Sequence, residues 1–402
     1  MDARDMDYEV FCGIDVGKSG HFAVSFRRDS LEPEMRRAIA ADEADIRRAL
    51  ADASGGSRML VVVDQPGGFG ELPVAVARDM GFDAAFISPK DFHDLAVLYS
   101  EGKSDAADAL VIADAPRRHP RLVRLVAERE EALSELRVLT RARADAVRER
   151  TRAYNRLHDC LERGCPPLEE LFAGDALHTS LARAVIARYG GPAGLRRAGE
   201  KRAAQWASKL KGQANRGPEK IREAFEAIGR MGVALPAAGA VEAQAERLAP
   251  RLDQLEEEVA AAEREIARIA DSLPEIALLQ SMPGIGPVYA SVIVAEIGGI
   301  GRFADGNRLA SYAGIAPVKD QSGKRDSSKK SKKGNRRLKA AFLGSADAAL
   351  DCDGASRAYY DRKRAEGKLH RQALRALARR RADVIYAILS SGRPYRQPAP
   401  AA

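Results

Sequence analysis

The apolar positions in the first third of the chain switch repeatedly between strand and helix periods. Tyr8–Ile14 is apolar and β-prone, and Asp15 closes it. His21–Phe26 alternates with period two, and a third short strand is predicted near Arg36–Ala41. A helix is predicted over Glu43–Ala53. Met59–Val63 is a continuous apolar run of the buried-strand kind, ended by Asp64 and a Pro-Gly-Gly turn. A helix over Leu72–Met80, a strand over Ala84–Ile87, and helices over Asp91–Ser100 and Asp105–Ala115 come next. Three strands in a meander, then alternating helices and strands, predict a layered α/β domain with a mixed sheet.

Beyond this region the pattern becomes helical. From Leu122 to about Leu161, Leu133, Leu136, Thr140, Val147, Tyr154 and Leu157 form one stripe. Arg137, Arg141, Arg148 and Arg152 lie on other faces, which suits either nucleic-acid contact or a solvated surface. Gly164–Gly191 reads as a hinge or small helical insert, and Ala203–Met231 as further helix. Leu248, Leu252, Leu255, Val259, Ala262, Ile266, Ile269 and Leu273 step by four and three, a coiled-coil seam with Pro250 near its start. Its partner would be the helix near 133–161 or a copy in another subunit. After Pro274, Gly284-Ile285-Gly286 between two apolar stretches reads as a helix-hairpin-helix, although an ordinary helical hairpin looks the same. Helices over Leu309–Ile315 and Leu338–Leu350 flank a basic loop, and Ala373–Leu389 is an Arg-rich amphipathic helix. The expected domains are 1–120 (α/β), 121–275 (helical, coiled-coil linker and dimerisation) and 276–395 (mostly α).

Charge sharpens this reading. The 402-residue chain is 45% hydrophobic but only 5% aromatic, and carries a net charge of +8. Such an excess fits a polyanionic partner, either nucleic acid or an anionic membrane surface. Between Arg302 and Lys339 stand twelve basic residues against three acidic ones, so this segment should bind phosphates in a salt-dependent way. Lys324, Arg325, Lys329, Lys330, Lys332, Lys333, Arg336 and Arg337 are the nucleic-acid-binding candidates there, with the backbone at Gly284 and Gly286. No apolar run is long enough to span a bilayer, and Met1–Glu9 is acidic, unlike a signal peptide. Cys12, Cys160, Cys165 and Cys352 lack zinc-site spacing. A cytoplasmic protein with reduced thiols and no membrane partner is expected.

The candidate chemistry is acidic. Asp105 and Asp108 share a helix face, about 4.5 Å apart along the axis. Their repulsion is relieved by a bound cation, or they simply favour the helix dipole in a solvated first turn. Asp15 and Asp64 sit at the C-terminal ends of buried strands, where α/β sheets place ligands. Four carboxylates without a basic neighbour suit Mg²⁺ or Mn²⁺, and two such ions about 4 Å apart clamp the oxygens of a displaced phosphodiester. A serine such as Ser322, inside the basic segment, needs activation to act as a nucleophile. The Gly13–Ser19 stretch is not a phosphate-binding loop, which requires four residues before its Gly-Lys where this chain has three. An ATPase of the sugar-kinase type lacks a later Gly-rich loop here.

Gly13-Ile-Asp15-Val-Gly17-Lys18, the strand ending at Asp64, and Lys103-Ser-Asp105-Ala-Ala-Asp108 resemble a RuvC-like, ribonuclease-H-fold nuclease domain. The similarity is to the variant carried by bridge-RNA-guided insertion-sequence transposases and the related Piv invertases. That family's tetrad is Asp-Glu-Asp-Asp; Asp64 stands where Glu is usual and reaches one methylene less far. Leu309–Pro317, Ser322-Gly323 and Ser331–Leu338 resemble the C-terminal domain of the same family, whose Ser-Gly serine is the nucleophile. That serine maps to Ser322, not to Ser327, Ser328 or Ser331.

The resemblance implies a DNA transposase or site-specific recombinase. Asp15, Asp64, Asp105 and Asp108 would hold Mg²⁺ (or Mn²⁺), and Ser322 would form a phosphoserine link to DNA. The implied partners are donor and target DNA, a guide (bridge) RNA, and further copies of the chain as a homodimer or homotetramer, with acidic and serine domains from different subunits. The alternatives are a metal-dependent, structure-selective nuclease without covalent intermediate, and an inactive nucleic-acid-binding remnant.

Overall fold

The computed structural model describes residues 7–65, 67–99, 104–126, 128–172, 179–233, 235–316, 318–322, 325–329 and 334–397. The chain divides into two compact units, Met1–Glu135 and Leu136–Ala402.

The first unit is built on six strands: β1 (Val10–Val16), β2 (Gly20–Arg27), β3 (Met35–Ala40), β4 (Met59–Val63), β5 (Asp83–Ile87) and β6 (Val123–Leu125). Their order is β3-β2-β1-β4-β5-β6. β1, β4 and β5 run parallel, while β2, β3 and β6 pair antiparallel to their neighbours. Helices α1 (Glu43–Ser54), α2 (Glu71–Asp79), α3 (Pro89–Ala96) and α4 (Asp105–Arg118) cover the sheet. The period of two decides which face each strand residue serves. Val10, Cys12, Ile14 and Val16 pack with Ile46 and Leu50 of α1 and Val74 of α2. On the other face, Phe11, Leu60 and Val62 pack with Val111 and Ile112 of α4. Asp15 and Asp64 continue the second series. The mixed α/β layering expected of a RuvC-like domain is present.

Three local expectations change. Asp15 lies within β1 rather than closing it, because the β1–β2 hairpin extends pairing to Val16 and His21. Val123–Leu125 is a strand, not the start of a helix: Pro120 precedes it, and Val123 pairs with Ile87 and Leu125 with Ala85. The α3 helix stops at Ala96, four residues before Ser100.

The remainder is mostly helical. Helix α5 (Glu128–Gly164) leads into it. It is followed by α6 (Pro166–Phe172), α7 (Ser180–Tyr189), α8 (Pro192–Ala198), α9 (Glu200–Ser208), α10 (Arg216–Gly229) and α11 (Ala238–Ala270). Arg143 pairs with Glu263 and Arg251 with Glu149, so α5 and α11 run antiparallel. Leu248, Leu252 and Leu255 share a buried core with Leu157, Phe172 and Ile186. Leu157 belongs to α5, Phe172 to α6 and Ile186 to α7, so several helices of the same chain cover this part of the α11 stripe. Pro250 is inside α11, not near its start, because buried Val241 and Ala245 carry the apolar stripe back to an earlier origin.

Then come α12 (Pro274–Gln280), α13 (Pro287–Ile297), α14 (Gly306–Tyr312), strands β7 (Val318–Ser322) and β8 (Arg325–Lys329), α15 (Arg336–Cys352), α16 (Gly354–Ala365) and α17 (His370–Ser391). The expected basic loop is therefore a two-stranded antiparallel hairpin, its register running from Val318↔Lys329 to Ser322↔Arg325. All four cysteines are unpaired. Among the described residues no helix is long and apolar enough to cross a membrane.

Candidate active site

The acidic residues meet on one face of the sheet through a chain of local causes. In the parallel β1–β4 pair, Ile14 stands opposite Val63, so Asp15, one residue before the end of β1, and Asp64, just past β4, stand side by side. Helix α4 starts at Asp105 because Ser104 caps it, its hydroxyl accepting from the Ala107 amide at 3.2 Å. Asp105 and Asp108 occupy its first turn. The helix can lie close against β1 because residue 13 is glycine: a Cβ there would stand 2.2 Å from the Ala113 nitrogen and 2.6 Å from the Ala109 carbonyl oxygen. Buried Ala107, Ala109 and Ala113 keep the facing side of α4 small.

The electrostatics report this gathering. Burial pushes the Asp15 carboxyl up to about 6, and Asp64, Asp108 and Asp105 add to the effect in that order. Burial also raises Asp64, opposed by backbone hydrogen bonds from Val16, its own amide and Gln65, with Asp108 raising it further. One Asp64 oxygen, Oδ1, is buried without a hydrogen-bond partner. An orphaned buried carboxylate oxygen beside other carboxylates is costly, and a hard divalent cation is the partner that such oxygens take. The donor chemistry therefore fits Mg²⁺ or Mn²⁺. Even so, among the described residues no three His, Cys, Asp or Glu side chains converge closely enough to hold a metal together. The four aspartates share a neighbourhood, and ligation would require their side chains to close in.

Within the second unit, Ser322 ends β7 and is paired in register with Arg325. Of Ser322, Arg325 and Lys329 only the backbone is described, while Lys103, Lys324, Lys330, Lys332 and Lys333 lie outside the described residues. Arg336 and Arg337 are exposed in the first turn of α15, where the helix dipole disfavours cations and favours an anion. Gly284 has φ +78°, and a Cβ on it would stand 2.6 Å from the Ala349 nitrogen and the Ser345 carbonyl oxygen, so it packs this turn onto α15. Gly286, just before α13, is exposed with open space around it.

Two residues that tie the start of α15 to α13 and α14 were not singled out from the sequence. Asn335 caps α15, its side-chain oxygen accepting from the Arg337 and Leu338 amides at 3.0 Å. Its own amide donates to the Tyr312 carbonyl at 2.8 Å, and its Nδ2 donates to Glu296 Oε2 at 2.6 Å. Glu296 is 7% exposed and lies 3.6 Å from Arg141 Nε. Arg137 and Arg302 bond the neighbouring carbonyls of Ala295 and Ile297. The available signals were an Asn directly before a helix and a single charge in the apolar run of α13.

Comparison with known proteins identifies two matching family models. A DEDD-type model described as a transposase matches residues 12–166. Residues 276–361 match the model described as "Transposase IS116/IS110/IS902 family". The chain is 36% identical to the "Insertion element IS110 uncharacterized 43.6 kDa protein" of Streptomyces coelicolor, over 98% of this chain and 97% of the other. It is 35% identical to the "Insertion element IS116 uncharacterized 44.8 kDa protein" of Streptomyces clavuligerus, over 97% of each. A shorter similarity, 29% identity over 33% of this chain and 44% of the other, links it to the pilin gene-inverting protein of Moraxella bovis.

Proposed function

This chain belongs to the IS116/IS110/IS902 family of insertion-sequence transposases, enzymes that cut and rejoin DNA, and we propose that it does so through a phosphoserine link formed by Ser322. The observation that carries the reading is the gathering of Asp15, Asp64, Asp105 and Asp108 on one sheet face, in a chain whose other unit presents a serine in a basic hairpin.

Asp15 and Asp64, on adjacent strand ends, and Asp105 and Asp108, on α4, would hold Mg²⁺ or Mn²⁺. When bound, such ions supply Lewis-acid polarisation of the scissile phosphate and stabilise charge on the departing oxygen. Ser322 gives up its hydroxyl proton and its oxygen bonds phosphorus, while the 3′ oxygen of the cut strand leaves and takes a proton. One phosphodiester is exchanged for another, so the bond energy is kept and no nucleotide is consumed. A partner strand's 3′-hydroxyl reverses the step and frees the serine. The β7–β8 basic residues, Arg336 and Arg337, and the exposed N-terminus of α13 at Gly286 would grip phosphates. Gly284 shapes the helix-hairpin-helix turn.

Helices α5 and α11 would form the coiled-coil linker through which subunits join. The acidic and serine units then meet on DNA in a dimer or tetramer, with a guide RNA choosing the target and donor sequences.

The test is covalent trapping. Protein purified with its accompanying RNA is mixed with Mg²⁺ and labelled DNA spanning the element's ends, then run on a denaturing protein gel. The wild type is expected to carry label, and Ser322→Ala and Asp105→Asn none. Cleaved DNA without labelled protein, unchanged by Ser322→Ala, would overturn the nucleophile assignment.

A further inference from the structure

The last helices of the second unit enclose a feature that the cutting and joining chemistry does not use. Helices α16 and α17, Met282 of the turn before α13, and Tyr395 beyond α17 line an open pocket of 720 Å³, within the range of small-ligand sites. Arg362, Arg380, Arg381, Tyr359 and Tyr395 all face it. Arg381 is only 3% exposed; its Nη2 donates to the Pro283 carbonyl at 2.6 Å, while its buried Nε has no hydrogen-bond partner. Two carboxylates also line the pocket, but both are engaged. Asp353 accepts from the amides of Ala355 and Ser356 and from the Ser356 hydroxyl, and Asp383 pairs with Arg379 at 2.7 Å.

At the mouth, three cations crowd one ring. Arg362, Lys363 and Arg380 lie 5.0, 5.5 and 5.3 Å from the Tyr359 centroid. Lys363 is balanced by Glu366 at 2.6 Å, whereas among the described residues Arg362 and Arg380 form no ion pair. A ring quadrupole offsets one cation by about 1 kcal/mol and leaves the mutual repulsion of the others standing. An anion between these guanidinium groups removes that repulsion and supplies the acceptor that Arg381 Nε lacks, beside the charge that Asp353 already sets against it. Flat guanidinium and phenol faces beside a phosphate site are what an unpaired nucleotide requires, since a base inside a duplex has no free face to stack.

We propose that this pocket, formed by α16, α17 and Tyr395, binds one unpaired nucleotide of a nucleic-acid strand, with its phosphate on Arg380 and Arg381 and its base stacked against Tyr359, Arg362 or Tyr395. The proposal rests on reading the chain as a nucleic-acid enzyme, but on neither Ser322 nor the acidic cluster. The strand is either RNA or single-stranded DNA, which share this chemistry.

The experiment uses full-length protein and single-stranded 12-nucleotide probes of DNA and of RNA carrying 5-iodouracil. Ultraviolet cross-linking followed by peptide mass spectrometry is expected to mark Tyr359 or Tyr395. RNA marking alone identifies an RNA strand as the occupant, and DNA marking alone a separated DNA strand. The double variant Arg362→Gln, Arg380→Gln, at exposed positions where folding is preserved, is expected to lower that cross-link about tenfold. It should also flatten the salt dependence of probe binding by about 0.7 in slope per phosphate contact removed. The double variant Arg264→Gln, Arg268→Gln, an equal charge loss at exposed positions of α11, should do neither. Cross-links that avoid both tyrosines, or that persist unchanged in the double variant, overturn the pocket even if Ser322 trapping succeeds. Pocket cross-links that persist while trapping fails overturn the phosphoserine reading alone.

Discussion

The backbone nitrogen of Ala113 lies 2.2 Å from where a Cβ on Gly13 would stand. This contact lets α4 rest directly on β1 and so sets how near Asp105 and Asp108 come to Asp15. Gly13 is thus a packing device rather than part of a phosphate loop. Gly13→Ala must push α4 away from the sheet. It is expected to destabilise the first unit by about 1–3 kcal/mol and to lower DNA cleavage more than Gly17→Ala does, as read by thermal melting and gel cleavage.

Asp64 tests the acidic cluster from the other side. Its carboxylate carries both backbone hydrogen bonds and an orphaned oxygen. Asp64→Asn keeps the size and removes the charge, and is expected to lower metal-dependent cleavage about 100-fold. Asp64→Glu keeps the charge and lengthens the reach toward the residue usual in this family, and should retain cleavage within about tenfold. Titrating Mg²⁺ in the cleavage assay separates the two.

Asp15, like Asp64, contributes an acid pH dependence to stability. Burial and its acidic neighbours raise its carboxyl from 3.8 to about 6 in the folded chain. The folded state therefore holds the proton more tightly than the unfolded one, and this group's contribution makes stability fall as pH rises from about 4 to about 6. Above that window the penalty is constant; below it the penalty vanishes. The melting-temperature difference between Asp15→Asn and wild type is expected to widen in the variant's favour by a few degrees between pH 4.5 and 7.5 without metal. The stabilisation given by added Mg²⁺ should grow over the same range, because binding displaces that proton.

Glu296 and Asn335 tie the start of α15 to α13 and α14. Asn335→Ala removes the α15 cap and should cost about 1 kcal/mol. Glu296→Ala leaves the Asn335 amide without its acceptor beside a buried gap and should cost about 1–3 kcal/mol, while half-exposed Arg141 turns to solvent. Glu296→Gln can still accept from Asn335 and should fall well below that. Both alanine variants are expected to lower the yield of trapped covalent product, measured beside the melting temperature.

By itself the sequence determined the elements and the chemical types. Strand and helix periods are local properties, so the order of β1 to β5 and α1 to α4 was legible. So were the four aspartates at strand ends and in a helix's first turn, and the Ser-Gly pair in a basic segment. Tertiary structure alone decided how these were used. Val123–Leu125 became a strand because an open sheet edge at β5 could pair with it, which outweighed the helical character of the residues after it. The basic stretch became a hairpin through pairing between its own two halves, which charge composition does not encode. The first part of the α11 stripe is buried among α5, α6 and α7 of the same chain, a choice to which the heptad pattern is blind. That the aspartates share one face depends on parallel register and on the missing Cβ of Gly13, both contacts between residues far apart in the chain.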